Sequence, residues 1–147
     1  MTTGTLSRPT SRVSAVTVLC IAAALLMVVS GAIHLHLWDK YYRHVTIGHM
    51  NVAFLVQLSA AFLGAIALVV WRALLIVVAS AALMAGTAVG YLIARYRTAG
   101  LFGFSLGPHF SSPYATWALV VEVVATALLI VAAAILVRAR AASAPAV

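Results

Sequence analysis

Apolar residues run along this chain in long blocks, and the polar residues gather between the blocks. Spanning a ~30 Å hydrocarbon core takes roughly 20 apolar residues at about 1.5 Å each. Residues 13–37 fit one crossing, with polar side chains collecting at the far end. The stretch 49–94 is too long for one, because a single helix of that length would reach about 69 Å. Its only Lys, Arg, Asp or Glu is Arg72, beside Trp71, and interface residues of this kind mark a turn. The stretch therefore divides into 49–70 and 73–94, although neither Gly nor Pro marks the break. Residues 114–137 form the fourth block, with Ser112 suited to the N-cap, Pro113 to the first turn, and Arg138 and Arg140 closing it. Residues 1–12 read as a polar tail and 138–147 as a C-terminal tail. The first block is too long for a signal-peptide core and reads as a membrane helix. Four helices with short links predict an all-α fold, an integral membrane up-down four-helix bundle.

Composition supports this. Of 147 residues, 65% are hydrophobic and 7% charged, against about a quarter charged in soluble domains. Nine Lys/Arg and two Asp/Glu cannot clothe a water-exposed surface. Soluble enzymes and disordered regulators are excluded. The net charge of +7 does not point to nucleic acid, because the basic residues sit at segment ends, where they meet anionic headgroups. Cys20 is the lone cysteine, so there is no internal disulfide and no dithiol chemistry.

Up-down topology puts both termini on one side, with Arg8, Arg12, Arg72, Arg138 and Arg140; Lys40, Arg43, Arg95 and Arg97 take the other. The excess of five over four predicts a multi-pass protein of the bacterial plasma membrane with cytoplasmic termini, and the near-tie leaves dual insertion open. All five histidines and most Trp and Tyr fall at the opposite, outer end. An aromatic belt accounts for the rings but not for the histidines.

Glu122 is the sharpest chemical feature. It lies roughly 13 Å inside its helix, where a carboxylate costs ~2.5–3.5 kcal/mol on insertion scales. It should face the bundle interior and be paired or protonated. Ser30, Gln57 and Thr87 lie about 10–13 Å down their own helices, so the four form a candidate polar layer. Such a layer serves as hydrogen-bonding glue or as a site for a proton, a cation or a headgroup. No second acid in any helix completes a proton relay.

His34, His49 and His109 form a candidate metal or haem set, since neutral imidazole suits Zn, Cu or haem iron. No HxxxH, HExxH or Cys/His spacing supports it, and no cofactor is assigned. Ala82, Gly86, Gly90 and Ala94 recur at every fourth position, a small-residue stripe that lets another backbone approach. It predicts tight helix packing, within the chain, in a homodimer or against a membrane-complex partner. The loop 95–112 carries Phe102, Phe104 and Phe110 and is expected to dip into the interface and cap the outer end.

The segments Gly31-Ala-Ile-His34-Leu-His36-Leu-Trp38, Tyr42-Arg43, Thr46-Ile47-Gly48, Leu101-Phe-Gly-Phe104, Pro113-Tyr-Ala115 and Val121-Glu122 resemble a pattern in the uncharacterised small four-helix integral membrane proteins of actinobacteria. The resemblance covers about residues 13–137 and implies the same topology; no activity comes with it. No catalytic constellation is evident. The reading favoured by the residues is a non-enzymatic interaction or accessory subunit in the lipid bilayer. The alternatives are a haem-, metal- or quinone-binding redox protein using the outer histidines, and a small carrier or channel with Glu122 as its site.

Overall fold

The computed structural model describes residues 10–107 and 112–143. It is an all-α bundle of four helices, α1 (Thr10–Leu37), α2 (Met50–Val70), α3 (Leu74–Tyr96) and α4 (Pro113–Ala142). All four are long and apolar enough to cross a membrane. α1 packs on α2 and α4, and α3 on α4, while the α2–α3 seam is the thinnest. The outer surface is what lipid requires and water forbids: Leu63 is 67% and Leu75 77% exposed. Small residues do the interior packing. Cys20, Ala23, Ala61, Ala125 and Ala132 are fully buried and let the backbones approach.

That packing is uneven along the bundle. In the half nearer the termini, Met27, Leu68, Val77, Met84 and Leu129 close a continuous core. The two methionines, flexible and unbranched, fill irregular gaps between helices. The opposite half is different, as described below.

Three helix ends shape the bundle. The α2–α3 turn does fall at Trp71 and Arg72, and it is made without glycine: Arg72 itself adopts φ 41°. Its guanidinium donates to Thr17 Oγ1 at 3.1 Å, tying the turn to α1. α4 does not stop at Arg138 but continues to Ala142; at about 45 Å it outruns a ~30 Å hydrocarbon core, so both arginines reach past the apolar zone on regular helix. α1 ends at Leu37 and passes directly into a π-helical turn, Trp38–Tyr42, closed by Arg43 N–H on the Trp38 carbonyl at 2.8 Å. The extra residue per turn rotates Tyr42 inward, where it is buried.

Two connections shape the outer end. Gly48 (φ 60°) and His49 (φ 55°) are both left-handed and redirect the chain into α2. A side chain at Gly48 would meet the Phe102 carbonyl at 2.7 Å, so the two outer connections touch there. Between α3 and α4, Leu101 and Phe104 exchange backbone hydrogen bonds of 2.8 and 2.9 Å around Phe102 and Gly103, both at positive φ. That is the geometry of a primed hairpin turn. Leu106 N–H then binds the Ala94 carbonyl at 2.9 Å, which pins the loop over the end of α3. Ser112 Oγ accepts from Ala115 N–H at 3.5 Å, with Pro113 opening α4.

Candidate functional site: a cavity in the outer half of the bundle

Above the packed core lies a cavity of about 410 Å³. Helical periodicity builds its walls. Met50, Ala53, Phe54 and Gln57 share one face of α2, and Ala115, Ala118, Leu119 and Glu122 share one face of α4. The α3 wall runs from Ala82 to Ala94, and His34 and Leu37 come from α1. Leu101, Phe104 and Leu106 of the α3–α4 loop roof it. Of the phenylalanines expected to cap this end, Phe104 turns inward, Phe102 is exposed, and Phe110 lies outside the described residues.

The small-residue stripe of α3 faces this space. Ala82, Gly86, Gly90 and Ala94 all line the cavity, and a Cβ at Gly86 would meet nothing within 4 Å. The sequence reads the stripe as a packing seam. Within this chain no backbone closes over it: α2 presents Met50, Phe54 and Gln57 across the gap, Ala82 and Gly86 remain exposed, and the missing side chains leave a hollow.

Aromatic rings crowd the outer part. Tyr42 stacks on Phe54 with centroids 4.4 Å apart and meets the edge of Phe104 at 5.8 Å. Phe54 also contacts the His34 ring at 5.3 Å. The sequence alone does not predict these aromatic contacts, although the 50–53–54–57 spacing marks the face that carries Phe54.

At the deep end the polar side chains meet. Glu122 is 1% exposed. Ser30 Oγ donates to its Oε1 at 3.0 Å. His34 Nδ1 donates to the Ser30 carbonyl at 2.9 Å, which fixes a proton on that nitrogen, and Nε2 lies 3.8 Å from Glu122 Oε1. Ser, His and an acid together invite comparison with a hydrolytic triad. The order is wrong for one, because the serine hydroxyl serves the carboxyl directly and the imidazole proton is committed to backbone.

Of the candidate polar layer, Ser30 and Glu122 are joined directly, and Gln57, Thr87 and Glu122 line the one cavity. Thr87 Oγ1 donates to the Leu83 carbonyl at 2.9 Å and so serves its own helix. Gln57 is 9% exposed, and its buried Nε2 has no hydrogen-bond partner among the described residues. An unmet buried donor costs about 1–3 kcal/mol. No Lys or Arg lines the cavity.

The candidate histidine set is not assembled. His34 is buried beside Glu122, whereas the left-handed turn at Gly48 and His49 leaves His49 exposed. His109 lies outside the described residues. His36 packs on Tyr114 at 4.6 Å. Asp39 is exposed and paired with Lys40 and Arg43, each at 3.5 Å. Among the described residues no group of three or more His, Cys, Asp or Glu is placed to hold a metal ion.

Taken together, the arrangement can receive a small apolar body against aromatic and aliphatic walls and offer hydrogen bonds at its deep end. No family model, no curated protein and no solved structure matches this chain.

Proposed function

We propose that this multi-pass protein resides in the bacterial plasma membrane with cytoplasmic termini and acts without catalysis. In this reading it binds a small, largely apolar molecule in the outer half of its bundle. The carrying observation is the union of a preformed cavity of about 410 Å³ with an unpaired buried donor, Gln57 Nε2, on its wall. That volume lies within the roughly 300–1,000 Å³ of small-molecule sites, which often sit between the helices of bundles. An accessory role toward another membrane protein is compatible with it, because Ala82 and Gly86 of the small-residue stripe line the cavity and remain exposed at its side. A carrier that moves its cargo past Glu122 is the second reading, favoured by the position of that carboxyl on the cavity wall. The closed core beneath Met27 and Met84 supports a binding chamber over an open channel.

The test is organic extraction of the purified protein followed by mass analysis, for wild type and for Gln57→Leu. A stoichiometric small molecule enriched in wild type and depleted in the variant is expected. Equal recovery of bulk lipid from both would remove the basis for the proposal.

A further inference from the structure

We infer that the cavity is built for a neutral, apolar molecule ending in a hydroxyl group, an alcohol or phenol, seated with that hydroxyl at the depth of Gln57 and Glu122. This rests on the binding-chamber reading above and names its ligand class.

The hydrogen-bond inventory is the first reason. The deep end offers one unmet donor, Gln57 Nε2, and acceptors on the Glu122 carboxyl. A head that only accepts leaves those acceptors unused, and one that only donates leaves Gln57 unmet. A hydroxyl does both with one atom.

Charge is the second reason. An anionic head would lie beside Glu122 with no Lys or Arg on the cavity wall to balance it. A cationic head would find the Glu122 carboxyl, but it would also face the Gln57 amide protons. Depth acts against both, since Gln57 and Glu122 sit near the middle of the apolar zone, where any charge is costly.

The walls are the third reason. Above the polar end the lining is Phe54, Tyr42, Phe104 and Leu119, a surface for rings or a chain rather than for a second polar group. The open space at Gly86, beside the thin α2–α3 seam, gives such a molecule a way in from the bilayer rather than from water.

The experiment uses the full chain in lipid nanodiscs and a long-chain alcohol bearing a diazirine, crosslinked by light and mapped by peptide mass spectrometry. Unlabelled dodecanol, dodecylamine, lauric acid and dodecane compete. Labelling is expected on the cavity faces of α2 and α3, with dodecanol competing about tenfold better than the other three, the effect of one well-placed hydrogen bond. Gln57→Leu should weaken the alcohol about tenfold. Glu122→Gln, which keeps an acceptor, should change it less than about threefold. If dodecylamine, lauric acid or dodecane competes as well as dodecanol, or Gln57→Leu leaves labelling unchanged, the hydroxyl assignment is overturned while the binding chamber stands. If no competitor reduces labelling of the cavity faces, both are overturned.

Discussion

Ser30 on α1 and Glu122 on α4, 92 positions apart, are joined by a 3.0 Å hydrogen bond in the bundle interior. The bond explains how a carboxyl is accommodated at that depth. Removing the donor with Ser30→Ala should cost about 0.6–1.7 kcal/mol, the range measured for hydrogen bonds between membrane helices. Glu122→Gln retains an acceptor for Ser30 and should cost less. A double-mutant cycle in reversible detergent unfolding reads the coupling, and zero coupling would mean that the bond does not hold α1 to α4.

Two glycines of helical segments should respond oppositely to the same substitution. Gly86 faces open space, so Gly86→Ala should stabilise by about 0.5–1 kcal/mol through backbone entropy alone. At Gly64 a Cβ would lie 2.6 Å from the Met27 methyl in the closed core, and that buried side chain must shift. Gly64→Ala should therefore lose the gain. Thermal unfolding of the two variants side by side checks the order, and equal melting temperatures would contradict the hollow at Gly86.

The roof of the cavity depends on Gly100. Its φ is 63°, and a Cβ there would collide with the Phe104 carbonyl that closes the turn. Gly100→Ala should cost about 1–3 kcal/mol locally. Gly103, at φ 81° but with nothing within 4 Å, should tolerate alanine better. Hydrogen exchange across 98–106 should rise in the first variant well above the second.

Cys20 is fully buried in the half of the bundle that carries the closed core. Thiol reagents should not modify it in the folded protein and should do so quantitatively after denaturation. Rapid labelling of the native protein would show that this half is not packed as described.

Much of the architecture is legible in the sequence because lipid leaves few options. Each crossing needs a long apolar run, and a lone acid at mid-depth must face inward, as Glu122 does. Counting residues from the outer end also set Gln57, Thr87 and Glu122 at one level, and these three line one cavity. Other features depend on neighbours that no single segment reveals. A glycine stripe permits close packing and equally permits a hollow, and which of the two forms within the chain depends on whether a neighbouring backbone moves in. The π-helical turn that brings Tyr42 inward has no sequence marker of its own, whereas the glycine-free turn at Arg72 is marked only by its interface residues. The exposure of His49 follows from two consecutive left-handed residues, which His-to-His spacing cannot anticipate.

The central claim is that the outer half of the bundle is a binding chamber. The most direct measurement is native mass spectrometry of the purified chain, released from nanodiscs as wild type and as Gly86→Phe, whose ring would fill the space at Gly86. The account predicts a discrete adduct on the 15.4 kDa wild-type chain that is absent from a folded Gly86→Phe. A bare wild-type chain, or the same adduct on both proteins, would contradict it.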